Sequence, residues 1–242
     1  MDAISYKKQA QKNFDKCKQR CGKVQCDAGK QTITFDINHK NNVFIKDGVV
    51  CPESWFQQDI RPLFLLKEAY GGTQDWDLID DYLREPTPIG KLWKTISMWA
   101  YGLLATNADH CAPYLSNEPI SQFDNEYLRK IAVINVKKSN GNKESNMDEI
   151  RAYAKFDKEY LRKQVELCDP TIIVCGYTGS ALDIIFDEKI RKPWNDNLFY
   201  HITLNGHDVI VLDYWHPSNH YPDLMNYYGL MSIYQLALQR RV

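Results

Sequence analysis

No stretch of this chain approaches the ~18 consecutive apolar residues that a membrane-spanning helix needs. Its first residues, Met1-Asp2-Ala3-Ile4-Ser5-Tyr6-Lys7-Lys8, lack the apolar run of a signal peptide, so a cytoplasmic location without membrane contact is expected. Neither sign of charge is in excess. The 30 Lys and Arg stand against 31 Asp and Glu, which excludes a generic polyanion binder and leaves a nucleic-acid partner to local patches. Internal repeats and long low-complexity linkers are also missing. Paired Cys-x-x-Cys motifs are absent as well. The 7 cysteines are an odd number and are expected as free thiols in a reducing compartment. Cys17, Cys21 and Cys26 cluster, with Cys17 and Cys21 at helical i,i+4 spacing, but this fits no standard zinc site, and no cofactor is expected.

What is present is the profile of a soluble globular protein, 44% hydrophobic and 25% charged, near the upper size for a single core. Aromatics make up 12%, which serves a core first and base stacking second; composition does not choose. A polar stretch at 1–29 predicts a helix over about 4–20 followed by a loop. Ile33–Ile37 and Val43–Ile45 alternate around Asn38–Asn42 and predict a hairpin. Four apolar runs then stand out: Leu63–Leu66, Ile131–Val136, Thr171–Cys175 and Val209–Trp215. Each is short and poor in charge, as suits a strand buried on both faces. Helical patterns separate them, at Leu92–Leu104 and at Met147–Leu167, the second with Asn146 as a candidate cap and Pro170 beyond its end. Strands alternating with helices predict a three-layer α/β/α domain over 60–242 around a mostly parallel four-stranded sheet, with 1–59 as a helix-and-hairpin extension packed on it. Asn205-Gly206 predicts a type I′ hairpin that adds an antiparallel edge.

In open α/β sheets, ligands bind beyond the carboxyl ends of the strands. Four loops therefore carry the functional expectations. Lys67-Glu68-Ala69-Tyr70-Gly71-Gly72 sets a carboxylate just past a buried strand, before two glycines that let backbone approach a ligand closely. Asn135, near the end of the second strand, offers a donor and an acceptor suited to a base edge, with Lys137 and Lys138 beyond it for phosphates. Cys175-Gly176-Tyr177-Thr178-Gly179-Ser180 is neither a nucleophile elbow nor a phosphate-binding P-loop, but a small-residue loop open to close approach. In Trp215-His216-Pro217-Ser218-Asn219, Pro217 biases His216 towards an extended conformation and so aims its ring. A histidine at a strand end can stabilise a developing anion. His220 follows at i,i+4, but across a proline, which makes a poor metal pair.

Taken in order, Lys67-Glu68-Ala69-Tyr70-Gly71, Asn135, Gly176 and His216-Pro217-Ser218 resemble the motif series of the uracil-DNA glycosylase superfamily, over roughly residue 60 to the carboxyl end. The resemblance implies a base-flipping enzyme that hydrolyses an N-glycosidic bond in DNA and leaves an abasic site. In that frame His216 meets the departing base and Glu68, with Asp75 in reserve, supplies the carboxylate. Asn135, Tyr70, Gly71 and Ala69 form the base pocket, while Gly176, Ser218, Lys137 and Asn219 hold the DNA backbone. The enzyme is expected to act as a monomer on DNA.

Three departures shape the expectation. Ala69 stands where several branches place a water-activating Asp or Asn, and Lys67 replaces the usual leading Gly. Gly71 stands where some uracil-specific members place a bulky aromatic, which leaves the C5 side of a pyrimidine open. A 5-substituted or hypermodified pyrimidine, as in some phage DNA, is then a candidate substrate beside uracil, and anti-phage defence a candidate role beside repair. The cysteines do not follow the four-Cys iron–sulfur pattern of other branches. Two other classes stay open: a nucleoside or nucleotide hydrolase, favoured by the near-neutral charge, and a non-catalytic nucleic-acid-binding module, suggested by Ala69.

Overall fold

A computed structural model of the chain describes residues 1–28, 31–84, 90–115, 126–187 and 198–240. Helix α1 (Ala3–Lys18) starts where Asp2 accepts a hydrogen bond from the Ser5 amide at 2.8 Å, and it ends with Lys16 and Lys18 at the negative pole of the helix dipole. Its buried residues, Tyr6, Ala10, Phe14 and Cys17, fall on one face at helical spacing.

The chain does not then form the expected loop and hairpin. Cys21–Ala28 is strand β1 and pairs antiparallel with β2 (Gln31–Asn38), so that Ile33 faces Cys26 and Ile37 faces Gly22. Val43–Ile45 is not the partner of Ile33–Ile37. The reason lies at His39, which a solvent-facing hairpin tip would expose. Its ring is fully buried and bonded to Asp157 at 2.7 Å and Ser139 at 3.2 Å, while Asn38 turns the chain by accepting from the Asn41 and Asn42 amides. Beyond the turn, β3 (Ile45–Lys46) pairs parallel with β6 (Trp76–Asp77), and β4 (Gly48–Val49) joins the central sheet.

All four apolar runs are strands of that sheet: β5 (Pro62–Glu68), β7 (Ala132–Lys137), β8 (Ile172–Gly176) and β10 (His207–Tyr214), mutually parallel in the order β7-β5-β8-β10. The sheet is nevertheless mixed and six-stranded rather than four-stranded. Antiparallel β4 flanks β7, and antiparallel β9 (Phe199–Leu204) flanks β10. β9 follows from the Asn205-Gly206 turn, whose two residues take positive φ (49° and 84°) as a type I′ turn requires. β4, at two residues, is too short to show any alternation, and it comes from the stretch 1–59.

Helices cover both faces, which is compatible with a three-layer arrangement. On one face lie α1, α4 (Met147–Phe156), α5 (Lys158–Cys168) and α6 (Gly179–Phe186). On the other lie α3 (Lys91–Ala105), α7 (Asp223–Gln239) and a π-helical turn at Ile79–Leu83, while the short α2 (Pro52–Trp55) buries Trp55 against the Cys168 carbonyl. Asn146 caps α4 as expected, by accepting from the Asp148 and Glu149 amides. The single helix expected over Met147–Leu167 breaks at Asp157, whose buried carboxylate is held by His39 and Arg20. Among the described residues no helix is long and apolar enough to cross a membrane.

Helices α3 and α7 meet at Gly102, where an added Cβ would lie 2.8 Å from the Tyr227 ring and against Met231. Gly102→Ala is therefore expected to destabilise the fold by about 1–3 kcal/mol through overpacking. A urea titration reads this directly, and an unchanged midpoint would mean the helices can separate without cost.

Candidate active site

The parallel strands bring the carboxyl ends of β5, β7, β8 and β10 to one edge of the sheet. A cavity of about 450 Å³ opens there. Glu68, Ala69, Tyr70, Asn135, His216 and Ser218 line it, so six of the expected site residues share one space. Trp76, Tyr82, Lys91 and Trp93 form much of the remaining wall. None of these four was legible as a site residue: Leu92–Leu104 read as a packing helix, and the first turn of α3 has no motif of its own.

His216 follows the end of β10. Burial, and secondarily the charge of Lys67, push its pKa down to about 4, so the ring is neutral at physiological pH. The Ser218 amide donates to Nδ1 at 3.2 Å, which leaves the imidazole proton on Nε2 as a donor. The loop is fixed by Asn219, whose amide N–H and Nδ2 both donate to the His216 carbonyl at 2.9 Å and whose Nδ2 also bonds Asn226. Asn219 thus shapes the loop rather than standing free for a DNA backbone.

The Glu68 side chain is only 2% exposed, and neither of its oxygens accepts a hydrogen bond. Its ion-pair partner is Lys137, with Nζ 3.2 Å from Oε2, and the Lys67 charge also acts on it. It rests against Gly141, where an added Cβ would lie 2.5 Å from the carboxylate. A buried carboxylate with unused lone pairs beside a cavity is a group prepared to meet a cation or a water. Lys137 itself is buried and bonds Glu149 at 2.9 Å. Burial opposes its charge, but the Glu149 and Glu68 carboxylates outweigh this and hold its pKa above the usual lysine value. Lys137 is therefore a support for Glu68 and not a surface contact for phosphate.

Asn135 donates its backbone N–H and its Nδ2 to one oxygen of Asp47, at 2.8 and 3.2 Å. Asp47 is fully buried and also accepts from Lys138 Nζ at 2.5 Å and Gln164 Nε2 at 2.7 Å. One amide hydrogen of Asn135 is thereby committed and its plane fixed. The other hydrogen and Oδ1 are left for a base edge. Sequence reasoning missed Asp47, which sits in the stretch 1–59 with only an Asp-Gly turn as its signal.

The remaining expectations separate. Asp75 does not line the cavity; it accepts from Lys18 Nζ and the Phe44 amide, both at 2.8 Å, and ties α1 to the chain before β3. Gly176 is buried, and an added Cβ would strike Leu66 at 2.8 Å and Pro217 at 3.2 Å, so its smallness lets the His216 loop pack on β8. Gly71 has positive φ (119°), and a Cβ added there would meet nothing within 4 Å, so this side is open. Asn140 holds the glycine loop through Gly71 N and Gly72 O.

The amino-terminal cysteines do not gather. Cys21 is exposed and Cys26 partly so, while Cys17 is buried beside His39 and Asp157, with candidate ligand atoms all within 4.8 Å of one another. This trio has the chemistry of an anchor. His39 and Asp157 share a 2.7 Å hydrogen bond, Arg20 already pairs with Asp157, and burial raises the Cys17 thiol far above its usual pKa, which keeps it protonated.

No protein-family model matches the chain, and no curated protein matches it. What the fold and the cavity define is an α/β protein with a mixed six-stranded sheet. Its strand-end cavity joins a neutral imidazole, a buried carboxylate and an anchored amide.

Proposed function

We propose that the chain is a DNA glycosylase of the kind its motifs resemble, acting on a pyrimidine extruded into the strand-end cavity. The observation that carries this reading is the convergence of neutral His216, buried Glu68 and anchored Asn135 on one cavity. As the bond from C1′ to the base nitrogen breaks, its electron pair leaves with the base, and positive charge grows on the sugar. The Nε2–H of His216 meets the base oxygen where negative charge accumulates. Asn135 reads the base edge. Glu68 faces the sugar cation and orients the water that adds to C1′, taking the proton that water gives up.

The cavity volume falls within the ~300–1,000 Å³ typical of drug-sized ligands, and its far wall is aromatic. With the open side at Gly71, this favours a 5-substituted or hypermodified pyrimidine over uracil alone. Such bases mark the DNA of some phages, and defence against them is the corresponding role. Duplexes carrying uracil, 5-hydroxymethylcytosine or glucosylated cytosine test this by abasic-site counts; excision of uracil only would remove the bulky-base reading.

Glu68→Gln is expected to lower base release by about 100-fold or more with little change in substrate binding, because the charge is needed only as the sugar cation forms. Single-turnover rates on the best substrate of the panel check it, and a wild-type rate would exclude Glu68 from the chemistry.

One observation favours a second reading, a nucleoside or nucleotide hydrolase. Lys137 and Lys138, the basic pair expected at phosphates, are both spent in buried ion pairs. Binding that is insensitive to salt would favour this reading, since a DNA enzyme held through phosphates weakens steeply as salt rises.

A further inference from the structure

Three aromatic side chains stand about half exposed beside the cavity: Tyr177 at 52%, Trp215 at 47% and Tyr221 at 50%. Tyr177 directly follows β8, and Trp215 directly precedes His216. Their rings lie nearly parallel, at 10°, with centroids 6.4 Å apart, and Tyr221 leans on Trp215 at 5.6 Å and 55°. Lys67 Nζ lies 5.4 Å from the centre of the Tyr177 ring. Tyr177 is also held at φ 61°, a left-handed conformation that a bulky residue rarely takes, by an amide that bonds the Tyr214 carbonyl at 2.8 Å and the Cys175 carbonyl at 2.9 Å. A glycine would adopt this backbone without strain. Tyrosine there turns a large ring to solvent instead of burying it.

We infer that Tyr177 and Trp215, edged by Tyr221 and Lys67, form a stacking platform for unpaired bases of a nucleic-acid strand, next to the nucleotide whose base enters the cavity. The inference rests on the reading of the substrate as DNA and deepens it to single-stranded or locally opened DNA. Two facts select this occupant. The chain carries no excess positive charge, and Lys137 and Lys138 are withdrawn into the interior, so phosphate contacts alone leave little to hold a strand. Stacking on aromatic faces holds bases without such a field and tolerates any sequence. A duplex hides its base faces within the stack, whereas an unpaired strand presents them, and Lys67 stands at the edge of the platform to meet its backbone.

The test measures binding by the full chain of a labelled short oligothymidylate, the same length of base-free abasic backbone, and a hairpin duplex. Oligothymidylate is expected to bind at least tenfold more tightly than the other two. Tyr177→Ala and Trp215→Ala are each expected to lose about tenfold on oligothymidylate and little on the base-free backbone. Trp215→Phe, which keeps a ring, should retain most of the affinity, and circular dichroism of each variant verifies the fold of these exposed positions. Equal binding of the base-free backbone, or alanine variants that bind like the wild type, would overturn the platform. The readout needs no catalysis. Oligothymidylate binding with no base released from any single-stranded or duplex substrate of the panel would remove the glycosylase reading alone, whereas base release with the binding pattern absent would remove the platform alone.

Discussion

His216→Ala is expected to lower base release by about 100-fold or more, with substrate affinity changed far less. The ring is the donor best placed to meet charge on a departing base, because its proton is confined to Nε2 by the Ser218 amide at Nδ1. The pH profile separates this role from a structural one. With the folded pKa near 4, the neutral donor persists throughout the physiological range, and the rate governed by His216 should stay level until the pH nears 4. Below that, a proton on Nδ1 displaces the Ser218 N–H and charges a mostly buried ring. Single-turnover abasic-site formation against pH reads this, and a titration near 6.5 would show a solvated imidazole and exclude the arrangement.

The same depressed pKa has a stability consequence of definite sign. An unfolded histidine takes up its proton near 6.5 and the folded one near 4, so between these values the unfolded state binds more protons. Stability from this group is whole above about 6.5 and is lost as pH falls towards 4, by at most on the order of 3 kcal/mol. The His216→Ala variant should show a correspondingly weaker acid dependence in urea titrations.

Asp47→Ala is expected to be the most damaging substitution for stability, by about 3–5 kcal/mol. Among the described residues Asp47 is the carboxylate that pairs with Lys138, whose side chain is 3% exposed, and it also accepts from Gln164 and Asn135. Removing it leaves an uncompensated buried ammonium just past β7 and orphaned donors on β7 and α5. The double variant Asp47→Ala/Lys138→Met should recover much of the loss, since it removes the orphan charge along with its partner. Urea denaturation of both variants provides the comparison. A single-variant loss under 1 kcal/mol would mean that Lys138 reaches solvent. The single variant should also weaken discrimination between bases, because Asn135 loses the group that fixes its amide plane.

The parallel core of the fold was legible because strands buried on both faces leave short, charge-poor runs, and because Asn205-Gly206 and Asn146 act through their own local backbone. Elements that depend on distant partners were not. β1 reads as polar loop because little more than Val24 is buried along it, and β2 was legible as a strand but not its partner. The break at Asp157 is set by His39 and Arg20, more than a hundred residues away in the chain. β4 is too brief to carry a pattern at all.

The candidate site divides in the same way. Its strand-end residues, Glu68, Asn135 and His216, were readable by themselves, since a polar residue closing or following a buried run in a parallel sheet arrives at the ligand-binding edge whatever else the chain does. Which of them face one cavity, and what state they are in, came only with the tertiary structure. Lys137 and Lys138 look like surface cations in sequence. They become buried supports because Glu149 and Asp47 are brought to them by packing. Asp75 looks like a spare catalytic carboxylate and is drawn away by Lys18. Order along the chain is local information. The charge state and orientation of a side chain are set by neighbours that only folding supplies.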